Sequence, residues 1–295
     1  MSLEFYWLGM LMAILSGISN NYGTVLQKKV VNKFKDDSKF MRTIVKKPLW
    51  LIGLILQNVI GGLLYFMAQF YIGPTLIPGL MGAGLIVLAI GSIKIIGEQL
   101  ESPEIVGILL MVIAIAFIGL SNMAIDVEAQ NFLEWGLILR IMIFTIVLFI
   151  LAGIFHLLQI KGINKGISLA IFSGFMFALS NFWISPLMGV LSHVFGGTAL
   201  LTEILIFIFS LIVLAFTTIF GIITIQKSFR VGQASNLIPI QQIPIQIAPP
   251  FYFLVVYFLP IPGGFSLLFL IIGISLVIIS SFLLGKRQTQ IESIK

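Results

Sequence analysis

The chain has 295 residues, 59% of them hydrophobic and 9% charged, with no cysteine and a formal net charge of +6. Soluble domains carry about a quarter of their residues as Asp, Glu, Lys or Arg, so a water-soluble fold is excluded. Missing thiols also exclude disulfides, thiolate metal sites and cysteine catalysis. Apolar runs of about 20 residues recur, each long enough to cross a hydrocarbon core about 30 Å thick as a helix. Alternating strands of the outer-membrane type are not seen, and the expected class is an all-α polytopic membrane protein.

About nine spans are predicted, at 5–28, 49–72, 74–96, 104–123, 133–157, 166–190, 200–226, 235–258 and 266–284. Before the first there is neither a basic region nor a small-residue cleavage site, so it reads as a retained span rather than a signal peptide. It carries Gly17, Asn20, Thr24 and Gln27 at helical spacing, with Asn21 alongside. The loop from Lys28 to Lys47 is strongly basic. Span two places Asn58, Gly61 or Gly62, Tyr65 and Gln69 on one stripe, and span three opens on Pro74, Pro78 and Gly79 within a Gly-rich run. A short turn bearing Glu98, Glu101 and Glu104 follows. There Ser102, Pro103 and Glu104 have the order of an N-cap, an N1 proline and an acid on the positive end of a helix.

Span five contains Arg140, expected to snorkel outward or to pair with Glu134 or Glu203. Span six offers Ser173, Phe177, Ser180, Asn181 and Ser185, and span seven Thr217, Gly221 and Thr224. Span eight begins SNLIPIQQIPIQIAPP, with Ser235, Pro239, Gln242 and Gln246 on one face and a further proline at Pro244. Each interior proline removes one helical hydrogen bond and crowds the carbonyl four residues earlier.

Charge placement orients these spans. If successive loops alternate sides, Lys94, Lys161, Lys165, Lys227, Arg230, Lys286, Arg287 and Lys295 share a face with the 28–47 loop. The other face receives Asp126, Glu128 and Glu134. Cytoplasmic loops carry the Lys and Arg excess. The expectation is a multi-pass cell-membrane protein, N-terminus outside and C-terminus cytoplasmic. The basic loop could also rest on anionic lipid headgroups. Nucleic acid is not an expected partner, because the basic residues lack an interleaved aromatic platform.

An internal repeat underlies this order. AILSGISNNYG from Ala13 echoes AIFSGFMFALS from Ala170, and Leu-Ile-Pro recurs near the starts of spans three and eight. Spans one to four then map onto spans six to nine. With span five between, the second group crosses the membrane upside down, a plan used by secondary transporters with a midplane site. The predicted division is a first repeat at 1–132, a linking span at 133–165, an inverted repeat at 166–285 and a tail at 286–295, all one membrane domain.

Polar stripes in a span face the bundle interior or a wet cavity. The hydroxyls and small residues of spans six and seven suit helix packing, whereas paired carboxamides bring more donors and acceptors than packing requires. The predicted substrate ligands are Asn20, Asn21, Thr24, Asn58, Tyr65, Gln69, Asn181, Gln242 and Gln246. Pro74, Pro78, Gly79, Pro239 and Pro244 are expected to shape the backbone as hinges, since paired helix interruptions point to a transporter site. His156 and His193 lack a second ligand at metal spacing. No catalytic motif or P-loop occurs, so neither an enzyme nor an ATP-driven pump is expected, and no cofactor.

IGEQLESPEIVGILLMVIAIAFIGL from Ile96 resembles the span-three end, turn and span four of the drug/metabolite transporter superfamily (EamA-like), through Gly97, Glu98, Leu100, Gly107 and Gly119. Gln99 stands where that family has a basic residue. LQKKV from Leu26, KPLWLIG from Lys47, PTLIPGLMGA from Pro74 and, more loosely, ITIQKSFRVGQASNLIPIQ from Ile223 resemble the NIPA-like magnesium transporter branch. The resemblance implies a nine-span transporter fold. That branch has an acid within span two where this chain has Gly61 or Gly62, and magnesium is normally held by one or two carboxylates. The expected substrate is a small neutral or zwitterionic metabolite, with hydrated magnesium as the alternative. A non-transporting scaffold or receptor on the same fold is the other rival, and a homodimer is compatible with each reading.

Overall fold

The computed structural model describes residues 3–33, 40–72, 77–121 and 130–294, except for the side chains at 3–6, 69, 70, 72, 78, 79 and 285–294. Among the described residues every regular element is helical. The order is α1 (Leu3–Val31), α2 (Phe40–Ile44), α3 (Pro48–Leu54), α4 (Gly61–Ile72), α5 (Ile77–Met81), α6 (Ala83–Gly91), α7 (Ser102–Leu120), α8 (Trp135–Ile160), α9 (Lys165–Phe195), α10 (Leu201–Ser228), α11 (Ala234–Phe251) and α12 (Gly264–Ile294). Three π-helical stretches continue this series: Ile55–Ile60 joins α3 to α4, Ser92–Ile96 extends α6 and Tyr252–Val256 extends α11.

Among the described residues six helices are long and apolar enough to cross a membrane: Pro48–Ala68, Ser102–Leu120, Trp135–Ile160, Lys165–Phe195, Leu201–Ser228 and Gly264–Leu284. The chain is a multi-helix membrane protein. Its outer surface fits that solvent, since Ile143, Ile146 and Ile150 of α8 and Leu205, Ile212 and Ile219 of α10 are all exposed. Outside the group of six stand α1, the shorter apolar stretch Ala83–Ile96, and α11 with its prolines and glutamines. These are the helices onto which predicted spans one, three and eight fall.

The α11 helix sits deepest. Ser235, Asn236, Gln241 and Gln246 are buried along it, as are Leu237, Ile238 and Ile240. The main apolar core gathers Val25, Trp50, Leu88, Met111, Ile225, Leu237 and Val277. A second core, around Phe182, Trp183, Phe253 and Tyr257, fills the other end of the bundle between α8, α9 and α11.

The two Ala-Ile-x-Ser-Gly stretches make matching contacts. Ser16 Oγ donates to the Gly61 carbonyl at 2.8 Å, and Ser173 Oγ to the Gly221 carbonyl at 2.8 Å. A Cβ on Gly17 would collide with the Met81 carbonyl, and one on Gly174 with the Gln241 carbonyl. Each serine therefore ties its predicted span to the next one (α1 to α4, α9 to α10), and each glycine lets the span after that, at α5 or α11, approach at backbone distance. A π-helical stretch follows α11 directly, and another follows α6, the helix after α5 in the same predicted span.

Several sequence-based expectations are corrected. Lys28, read as part of a basic loop, is buried within α1 and donates to the carbonyls of Phe229 and Gly232. The loop itself contains the short helix α2, whose Phe40 ring lies 4.1 Å from the Arg230 guanidinium. At α7 the N-cap is Glu101 rather than Ser102, and Glu104 Oε2 reaches back 2.6 Å to its backbone N–H. Glu203 takes His193 as its partner, not Arg140, while the Arg140 guanidinium lies 4.6 Å from the Phe258 ring.

Candidate functional site

The predicted amides of α1 diverge. Asn20 is half-buried beside Gly61, whereas Asn21 is buried beside Gly84 of α6. Asn21 Nδ2 donates to the Gly17 carbonyl at 3.0 Å, and its Oδ1 is buried with no hydrogen-bond partner. A buried acceptor left unpaired costs about 1–3 kcal/mol. Thr24 is buried and bonds the Asn20 carbonyl at 3.1 Å, which is local packing.

On span two, Asn58 lies in the π-helical stretch and donates to the Leu54 carbonyl at 3.2 Å. Tyr65 is half-buried against the small cluster of Ala13, Ala68 and Ile77. The side chains of Gln69, Pro78 and Gly79 lie outside the described residues, and so does Pro74 altogether. Asn181 is exposed on α9.

Gln242 and Gln246 form a pair on α11, the Gln246 amide donating to Gln242 Oε1 at 3.1 Å. Gln246 is buried and Gln242 half-buried. Among the described residues no hydrogen bond joins this pair to Asn20 or Asn21. The prolines do not interrupt α11: it runs unbroken through Pro239, Pro244, Pro249 and Pro250. Pro244 instead packs its ring on Gly174. Span three, by contrast, is divided at Gly82 between α5 and α6.

Sequence reasoning put Gln27 on a polar stripe but missed the cluster it joins. Trp50 Nε1 donates to Gln226 Oε1 at 3.2 Å, the Gln226 amide donates to Gln27, and the Gln27 amide donates to Gln57 Oε1 at 2.7 Å. Beside this relay, Glu98 accepts the Ala234 N–H at 2.8 Å, the Ser235 N–H at 3.2 Å and the Ser235 hydroxyl at 2.8 Å. A carboxylate from the span-three end thus caps the first turn of α11 and meets its positive dipole end. Buried Glu104 receives the Asn236 amide at 2.7 Å. Gln241, a neighbour of a predicted ligand, donates to Ser173 Oγ at 2.8 Å.

These contacts share a pattern. Lys28, Gln27, Trp50, Glu98 and Glu104 precede residue 133, while their partners Phe229, Gly232, Gln226, Ala234, Ser235 and Asn236 all follow residue 165. The cluster lies at the end of the bundle that carries the basic residues and ties the two halves of the chain together there. One signal in the sequence was available: Gln27, Lys28, Glu98 and Gln226 all stand at span ends, where polarity is ordinarily put down to the interface.

Among the described residues no group of three or more His, Asp or Glu side chains is placed to hold a metal ion. No family model, curated protein or solved structure matches the chain.

Proposed function

We propose that the protein is a secondary transporter of the drug/metabolite type, moving a small neutral or zwitterionic solute by alternating access of two inverted halves. The observation that carries this reading is the pair of matching Ser-Gly contacts, Ser16 with Gly61 and Ser173 with Gly221. A sequence echo of five residues arises easily in biased composition. An echo whose serine and glycine reach the second and third helix of each half in the same way supports an inverted repeat of nine spans, the plan in which substrate binds between the halves.

The polar cluster at the basic end is then a closed gate. Its bonds cross between the halves, and several involve a charged group, each worth about 1.5–3 kcal/mol. The Lys and Arg bias makes this the cytoplasmic gate, with the N-terminus outside. Beyond it stand the Asn21 oxygen and the Gln242–Gln246 pair, polar and uncharged. Amides of this kind recognise hydroxyl, amide or carboxylate groups of a metabolite through directional hydrogen bonds. Magnesium retains most of its water and calls for carboxylates, so the same lining favours the metabolite over the cation.

The test is uptake into vesicles reconstituted with the purified protein, across a panel of small metabolites and divalent cations. We expect at least one metabolite to accumulate above protein-free vesicles, with the rate falling at least tenfold in Asn21→Ala and Gln242→Ala. Uptake of magnesium alone, unaltered in both variants, would overturn the substrate class and the site.

A further inference from the structure

A groove of about 330 Å³ opens on the side of the bundle between α8, α9 and α10, away from the amides discussed above. Its walls are apolar, with Phe172, Phe216 and Phe220 among them, and one end is polar, formed by His156, Gln159 and Lys227. The Gln159 amide nitrogen lies 3.2 Å from His156 Nδ1. Lys227 is exposed at the end of α10. Lys161 and Lys165 flank the turn joining α8 to α9 and are exposed at the same end. No Asp or Glu occurs between Glu134 and Glu203, or between Glu203 and Glu292, to offset these charges.

We propose that this groove binds an anionic phospholipid from the leaflet at the basic end, with one acyl chain along the aromatic wall and the phosphate at Lys227, Gln159 and His156. Three observations point to this occupant rather than to a soluble solute. The groove faces outward between membrane helices instead of into the bundle. Its length suits one leaflet, since Phe216 to Lys227 covers about 16 Å of helix against a hydrocarbon half-thickness of about 15 Å. Its polarity also runs the right way, with Lys227, Gln159 and His156 where headgroups lie and only the Thr224 hydroxyl further in among the apolar walls. Lysine side chains near an anionic surface attract such lipids, and here a lysine stands beside an imidazole and a carboxamide over a preformed apolar slot. The proposal requires membrane embedding but not transport, so it stands or falls separately from the function proposed above.

The test uses the full chain in phosphatidylcholine nanodiscs carrying a trace of photo-reactive phosphatidylglycerol, or of phosphatidylcholine with the same acyl chains. Phosphatidylglycerol should label peptides of α8 or α10 lining the groove at least fivefold more than phosphatidylcholine does. Lys227→Gln should remove most of that preference, whereas Lys94→Gln, at an exposed lysine outside the groove, should keep it. Gly153→Phe fills the groove at a position where an added Cβ meets nothing within 4 Å, and should abolish labelling while the melting temperature holds. Excess glycerol phosphate should not compete, which separates a lipid from a free phosphate. Equal labelling by both lipids, or labelling insensitive to Lys227→Gln and Gly153→Phe, would overturn the proposal.

Discussion

Gly17 and Gly174 stand where a single methyl group decides how near two helices come, because an added Cβ would strike a carbonyl of the facing helix. Overpacking of this kind costs about 1–3 kcal/mol. Gly17→Val and Gly174→Val should therefore each lower the melting temperature of the detergent-solubilised protein by several degrees. Gly62→Ala, whose Cβ meets nothing within 4 Å, should leave it unchanged or slightly raised. Both important glycines were visible in the sequence through the repeated Ser-Gly pair. Lys28 was not, since a lysine just past an apolar run ordinarily marks the membrane interface, and only the fold brings the Phe229 and Gly232 carbonyls to it. Asn21 was legible as a polar residue facing inward. That its oxygen would be left unpartnered depends on where Gly84 sits, which no local pattern encodes.

Among the elements, α11 departs furthest from expectation. Four prolines and three glutamines predicted a helix broken near its start, yet α11 is continuous and ends in a π-helical stretch. Burial on nearly every side holds it, and Glu98 anchors its first turn from another helix. Tertiary packing here overrides the proline penalty, which amounts to about 3 kcal/mol in a helix interior. Restoring an N–H at one such position should stiffen the element. Pro239→Ala is accordingly expected to raise the melting temperature and, if α11 bends during transport, to slow vesicle uptake. Unchanged stability and unchanged uptake together would remove the prolines from the mechanism. The six long apolar helices were readable from apolar length, whereas α2 was missed because five residues inside a charged loop give no periodic signal.

For the molecule as a whole, bonds at the basic end tie residues before 133 to residues after 165; in the transport cycle proposed above they hold the closed side of an equilibrium between closed and open forms. Removing one should shift that equilibrium rather than unfold the bundle. Glu98→Ala leaves the first amides of α11 uncapped, at about 1–2 kcal/mol, which corresponds to roughly a tenfold change in the ratio of closed to open forms. The matching Ser-Gly contacts were legible as an order of motifs. The polar cluster proposed as a gate was not, because it is assembled from residues more than a hundred positions apart. The natural absence of cysteine allows the most direct measurement of alternating access. Asn21→Cys and Gln242→Cys would each be introduced singly, and a membrane-impermeant maleimide applied from one side of oriented vesicles and then from the other. The account predicts labelling of both positions from the face opposite the basic end, and a gain of at least fivefold from the basic face when Glu98→Ala or Lys28→Ala is added. Cysteines unreactive from both faces, or reactive from one face whatever the gate residues, would contradict it.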